Sequence, residues 1–418
     1  MVHGELWTLK ELFVLPNEYI YWSIQIVLYP YMTGLIAGAF VLSSLYHVFG
    51  VEKLKEIARF ALVFSFALLP VAMLPLLLHL QQPLRGINVL MTPHFTSAIS
   101  AFGIVFLAYA CIVASELWFV YRAYIVTSIQ TLSANRNRRT GENLLLGIYK
   151  IISLGAYDLS EEALAADHKA TKLLAAIGIP VACFLHGYAG FIFGSVKANA
   201  LWMTPLMPVI FIVSAIVSGI ALCILCYIIT MELRKRFARR RVAGPASSGV
   251  TSEQLRTVED YEVKMTSKYL LMFMLLAITL ELLDIIFRGY TAVKSWDIIR
   301  EIIYQRDFFK IFILQYTIGN AIPFIMLLLP GITARRAAIA SVLVLFGVFM
   351  MRWNVVIGGQ AFSLTFMGFM DYHMPIIPTN LETFKEGLGG ALFVGIVPFI
   401  LFYYLNKIFP AFMEEKPH

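Results

Sequence analysis

The chain has 418 residues, of which 59% are hydrophobic and only 14% charged, and its mean hydropathy is +0.76. A soluble domain carries roughly a quarter charged residues, so a soluble globular fold is excluded, and the alternating segments of about ten residues that mark a membrane barrel are missing too. The net charge of +7 reads as Lys and Arg holding loops on one side of a bilayer, so no nucleic-acid partner is expected.

In chain order, the opening MVHGELWTLKELFVL lacks a basic start and a small-residue cleavage site, so insertion is expected to rely on the first span. Apolar runs lie near 20–49, 55–80, 94–124, 170–194, 201–232, 267–289, 309–330, 333–351 and 388–409. Each approaches or exceeds the roughly 20 residues that cross a bilayer as helix. The fold class is therefore an all-α polytopic membrane protein with about nine spans. Residues 361–378, shorter and flanked by polar groups, read as a loop lying on or dipping into the membrane.

The first span contains YPYMTGLIAG. Pro30 removes a helix hydrogen bond and invites a kink, and Tyr29 and Tyr31 on either side of it would border any cavity the kink opens. Gly34 and Gly38 stand four apart and read as a packing seam. LLLHLQQPLRGINVLMTPHFTSAIS then joins spans two and three, with His79 closing one, His94 opening the next and Arg85 between. His186, in FLHGYAGFIFG, lies in span four with Tyr188 two residues on. A lone histidine in a span is ordinarily a satisfied core residue; three histidines and an arginine at one depth suggest a shared polar headgroup site.

Glu116 in span three has no easy exit to water, whereas Arg122 is expected to snorkel to the surface. In span six, ELLDIIFR sets Glu281, Asp284 and Arg288 on one helix face, with Asp284 and Arg288 at ion-pair spacing. That stripe reads either as a structural ion pair or as a proton path. Cys111, Cys183, Cys223 and Cys226 all fall inside apolar runs and read as small core residues; no metal site is expected.

The basic clusters VEKLKEIAR, ANRNRR, ELRKRFARRR and TARR occupy alternate connections. They place the N-terminus and the 81–93 connection outside and the C-terminus in the cytoplasm. The 290–308 connection dissents with Lys294, Arg300 and Arg306, but Asp297, Glu301 and Asp307 are interspersed. VAGPASSGVTSEQ (242–254) is the linker-like stretch. The expected organisation is an N-terminal bundle (1–232) with the outer-side site, a cytoplasmic linker (233–265), and a C-terminal bundle plus final helix (266–418). The tracts 127–169 and 233–265 have room for surface helices but not for a catalytic domain. Electron-transferring domains must belong to other chains.

A flat ring with two oxygens and an isoprenoid tail fits this polar set. Such a quinone needs an apolar slot, a donor at each oxygen and groups that exchange protons as electrons arrive. His79, Arg85, His94, His186, Tyr188 and Tyr31 are the candidate border of its headgroup; Glu116, Glu281 and Asp284 are the candidate proton carriers. Two other readings stay open. A b-type cytochrome would pair His79 or His94 with His186, and His47 with His168; a secondary transporter would use the span-six charges as its coupling site.

The PLR turn followed by TPHFTSAIS, together with RWNVVIGGQ (352–360) and PTNLETF (378–384), resembles the NrfD/PsrC family, the membrane subunits related to polysulfide reductase. The likeness is to its longer branch, which includes hydrogenase-type and menaquinone reductase membrane subunits, the latter nearest. The resemblance implies nine to ten spans as two four-helix bundles plus an extra helix, and no bound redox cofactor. It also implies menaquinone as substrate at the outer end of the first bundle, beneath a periplasmic iron–sulfur subunit of ferredoxin-like 4Fe–4S type with further redox subunits. The PLR turn, His94 and the His186–Tyr188 region are the matching positions. The location implied is the bacterial inner membrane.

Overall fold

The structure, a computed structural model, describes residues 20, 22–94, 96–135, 139–196, 199, 201–242, 252–290, 296–362 and 369–412. Among these, nine helices are long and apolar enough to cross a membrane: α1 (Ile24–His47), α2 (Glu52–His79), α3 (Ser100–Ala134), α4 (Glu161–Gly194), α5 (Met207–Arg236), α6 (Tyr261–Tyr290), α7 (Phe309–Leu328), α8 (Ala334–Gly358) and α9 (Leu388–Ile408). The chain is a multi-pass, all-α integral membrane protein. Successive helices alternate in direction, so α1 begins, and α2 ends, at what is called here the Ile24 end; the opposite face is the His47 end.

The spans match the apolar runs, but α3 and α4 are longer than the runs that announce them. Their helical hydrogen bonding continues past the apolar window at the His47 end, where Arg122 ties them together. Arg122 does not snorkel: it is buried, and its Nε donates to Asp167 Oδ1 and Oδ2 at 2.9 and 2.7 Å. A carboxylate on the adjacent helix compensates the charge in place, removing the drive to reach water. Its Nη1 also donates to the Asp158 carbonyl, closing the turn before α4. In that turn the Ser160 N–H and hydroxyl hold the Asp158 carboxyl below its ordinary range.

The tract 127–169 carries the surface helix Thr140–Ile152. The tract 233–265 differs from a loose linker: helix Met207–Val242 and helix Ser252–Tyr290 take up most of it, and 243–251 lies outside the described residues. So do the opening MVHGELWTLKELFVL, residues 136–138 of the ANRNRR cluster, Lys294, and 363–368 of the 361–378 loop. The described ends of that loop are fastened by Met370 N–H to the Ala361 carbonyl (2.7 Å) and Arg306 Nη2 to the Met370 carbonyl (2.9 Å).

Helix α1 is the hub, buried almost throughout from Ile24 to Ser44 and packed against α2, α4, α5 and α8. Glycine makes this approach possible: a Cβ on Gly38 would collide with the α5 backbone at Ala215 and Gly219. A second backbone contact, Gly319 on Gly347, joins α7 to α8, as small residues do between membrane helices. Helix α9 leans on α2, where Phe402 meets Phe60 and Phe64 edge-on, each at 5.2 Å between centroids. Three described stretches wind with the wider π-helical turn: Ile302–Arg306 before α7, Phe309–Ala321 in α7 and Asn354–Gly358 closing α8. Such turns re-aim side chains and cluster at functional sites.

Candidate functional site

At the Ile24 end, a pocket of about 840 Å³ opens between the end of α2, the turn after it and the segment before α9; its lining includes Trp22, His79, Gln82, Arg85, Lys385 and Glu386. His79 sits in the last turn of helix Leu74–His79, where the helix dipole favours a cation. Pro83 starts the short turn Pro83–Ile87 that swings Arg85 to the rim. Glu386 closes a one-turn helix, Leu381–Glu386, capped by Asn380 Oδ1 on the Thr383 N–H at 2.8 Å. The two meet across the pocket: His79 Nδ1 donates to Glu386 Oε2 at 2.9 Å, with Ser23 Oγ at 3.4 Å. Trp22 supplies a flat apolar wall, stacked on Trp202 at 5.3 Å.

Of the six candidate headgroup residues, only His79 and Arg85 line this pocket. His94 is exposed on the surface, its Nδ1 bonded to Thr96 Oγ1 at 2.9 Å. Tyr188 is half-buried among Phe184 and Phe191 of its own helix. Tyr31 pins α1 to α8 by donating to the Leu345 carbonyl at 3.1 Å. His186 is turned inward, about 12 Å along α4 from Gly194. The reason is Gly34, where a Cβ would stand 3.0 Å from His186 Cε1: α1 leaves the imidazole a place in the core.

There Arg352 Nη2 donates to His186 Nε2 at 2.9 Å and to Ser214 Oγ at 2.7 Å. The guanidinium lies 3.7 Å from the Phe211 ring centroid and Arg352 is wholly buried. Arg352 opens the RWNVVIGGQ stretch, so sequence reasoning saw the motif and gave its arginine no role. The signal was there: an arginine well inside an apolar helix needs a buried partner.

Glu116, also wholly buried, meets His47 of α1, Nδ1 to Oε1 at 3.1 Å. His47 entered the sequence reading only as a haem ligand opposite His168. Its true neighbour is 69 residues away in the chain, and no local pattern reveals that. On α6 the predicted ion pair forms, Arg288 Nε to Asp284 Oδ2 at 2.9 Å, and Thr204 Oγ1 donates to Asp284 Oδ1 at 2.6 Å. Glu281 faces the wide turns: Gln315 Nε2 donates to its Oε2 at 3.0 Å, and Asn354 Nδ2 donates to Gln315 Oε1 at 2.8 Å. These side chains border a cavity of about 100 Å³.

Among the described residues no three His, Cys, Asp or Glu side chains gather as a metal site. His79 and His186 do not face each other; each has its own partner.

The family model described as "Polysulphide reductase, NrfD" matches residues 16–364. The chain is 33% identical over 211 residues to a selenate reductase subunit of Mesobacillus selenatarsenatis, covering 50% of this chain and 49% of that protein. It is 27% identical over 334 residues to a putative dimethyl sulfoxide reductase membrane subunit of Halobacterium salinarum, covering 78% and 66%. It is 25% identical over 215 residues to an Hdr-like menaquinol oxidoreductase integral membrane subunit of Archaeoglobus fulgidus, covering 51% and 44%. The chain thus spans about half to two thirds of the length of these relatives.

Proposed function

The chain belongs to the NrfD polysulphide reductase family, and from that premise we propose that it is the quinone-reacting membrane subunit of a respiratory oxidoreductase complex, of the menaquinone reductase type. The observation that carries this reading is the pocket at the Ile24 end with the His79–Glu386 contact inside it. The ring lies against Trp22. His79 donates a proton to one ring oxygen and is reprotonated through Glu386, while Arg85 and Lys385 offset negative charge as electrons arrive. Quinone takes two electrons and two protons to become quinol; the reverse direction uses the same groups.

The electrons come from outside this chain. We place a 4Fe–4S ferredoxin-like subunit over the Ile24 end, on the periplasmic side of a bacterial inner membrane, with the C-terminus in the cytoplasm; the basic connections support that orientation. Further redox subunits complete the assembly, and menaquinone is substrate rather than a tightly held cofactor. The front half (1–232) supplies Trp22, His79 and Arg85 to the pocket, 233–265 lies in the cytoplasm, and 266–418 forms the back half and the last helix and supplies Lys385 and Glu386. Glu116, with His47 beside it, carries protons from the His47 end; the carboxyls of Glu281 and Asp284 form a second proton-carrying group.

His79→Gln and Arg85→Gln in the intact complex test the reading. Quinone-linked turnover falls by at least about tenfold in each, in line with loss of a proton-exchanging or charge-stabilising group. Wild-type turnover in both variants removes the pocket from the reaction.

A further inference from the structure

Away from the Trp22 pocket, the back half encloses the cavity of about 100 Å³ among α6, α7, α8 and the segment before α7. All three π-helical stretches border it, through Ile303, Gln315 and Asn354. Apolar side chains form most of its wall; its polar groups are Glu281, Asp284, Arg288, Gln315, Tyr316 and Asn354.

The two acids differ in what they are bonded to. Asp284 is satisfied on both oxygens, by Arg288 Nε at 2.9 Å and Thr204 Oγ1 at 2.6 Å. Glu281 has only neutral donors, Gln315 Nε2 at 3.0 Å and the Tyr316 hydroxyl. Arg352 acts on Glu281 through space alone; it donates to His186 and Ser214 and does not border the cavity. Glu281 and Asp284 against Arg288 therefore leave the lining with one negative charge over. A carboxyl so placed in the membrane interior calls for a proton or a cation.

Asn354 decides between them. A carboxylate only accepts, so Gln315 turns its Nε2 to Glu281 and its Oε1 away. Asn354 then offers Nδ2 to that Oε1, at 2.8 Å. Each amide fixes the next, and the chain ends on Asn354 Oδ1. That oxygen belongs to a side chain only 6% exposed and has no hydrogen-bond partner. A proton on Glu281 leaves it as it is. A cation shared by the carboxylate and the amide oxygen neutralises the one and satisfies the other.

We propose that this cavity binds a monovalent cation of the Na+ type, with the Glu281 carboxylate and Asn354 Oδ1 as ligands and water in the remaining places. A water takes about 30 Å³ in the liquid, so the cavity has room for a small ion and about two waters. One positive charge cancels the charge left over, where a divalent ion would leave an excess. One carboxylate with neutral oxygens is a ligand set for a hard cation, unlike a centre of three His, Cys, Asp or Glu side chains. Membrane proteins hold such ions where helices depart from regular winding, and three such stretches meet here. The cation and a proton compete for Glu281. This goes beyond the proton-carrying role proposed above, which needs no cation.

Dicyclohexylcarbodiimide, which modifies protonated carboxyls in apolar surroundings, tests the site in the intact complex at neutral pH. Choline chloride keeps the ionic strength constant, and the Glu281 peptide is followed by mass spectrometry. Only the cation-free carboxyl reacts, so Na+ at about ten times its dissociation constant slows labelling of Glu281 by about tenfold. Asn354→Leu keeps the labelling and loses the protection. Radioactive Na+ retained by the complex gives a second reading, independent of the reagent: wild type holds one ion per chain more than Glu281→Gln. Should Asn354→Leu not assemble, wild type and Glu281→Gln decide. Labelling that is the same with and without Na+ means that protons alone load the carboxyl. Protection that survives in Asn354→Leu means that the amide is no ligand, and equal retention by wild type and Glu281→Gln puts the bound ion elsewhere. Any of these results overturns the site, and none of them bears on the Trp22 pocket, because no quinone is used.

Discussion

His47 Nδ1 lies 3.1 Å from Glu116 Oε1, joining α1 to α3, with the Glu116 side chain shut off from solvent and His47 only partly exposed. An acid and an imidazole at contact distance inside a bundle can pass a proton between them, the pairing a relay toward a buried headgroup requires. The structure gives Glu116 its missing neighbour. Glu116→Gln keeps the shape and removes the carboxylate. Quinone-linked turnover then falls by about tenfold or more, and charge moved per electron, followed by a membrane-potential dye in vesicles holding the complex, drops with it. Unchanged charge movement puts the proton route elsewhere.

Buried Arg122 and half-buried Asp167 form a pair that ties α3 to α4. Removing Arg122 strands a carboxylate that water reaches only in part, which costs about 1–3 kcal/mol. Arg122→Ala therefore lowers the midpoint of thermal unfolding in detergent sharply. Arg122→Ala with Asp167→Ala recovers part of the loss, because no charge is left alone.

Gly219 faces Gly38 with no space for a side chain on either. Gly219→Leu forces α1 and α5 apart, an overpacking that costs about 1–3 kcal/mol. Since α1 also carries Thr33 and Gly34 against His186, loss of stability and loss of turnover appear together in this variant.

Tyr372 fixes the start of α1, its hydroxyl accepting from the Ile24 N–H at 2.9 Å. Burial pushes its phenol up to about 12, against about 10 in an unfolded chain. The fold thus favours the neutral form. The stability this contributes is complete below about pH 10 and is lost as pH rises toward about 12. Alkaline unfolding followed by phenolate absorbance shows it, and Tyr372→Phe abolishes that part of the pH dependence.

Length and hydropathy locate the spans because a bilayer crossing leaves a continuous apolar record. The Asp284–Arg288 pair is equally plain, since both residues sit on one helix four apart. What stays hidden is which helices touch. His79 and Arg85 share a pocket because the PLR turn joins them locally, but their companions Lys385 and Glu386 come from 300 residues further on and carry no pattern. His186 has the depth of an outer-side ligand, yet its direction is set by Gly34, whose lack of a Cβ admits the ring. Arg352 is visible as a charge in an apolar run; that its partner is an imidazole rather than an acid follows only from packing.

The central claim, a quinone headgroup against Trp22 and His79, is tested most directly by light-activated crosslinking of an azido-menaquinone analogue to the intact complex, with the labelled peptides mapped by mass spectrometry. The account predicts label on residues 79–89 and 382–386, displaced by excess menaquinone. Displaceable label confined to other helices, with none on those two segments, contradicts it.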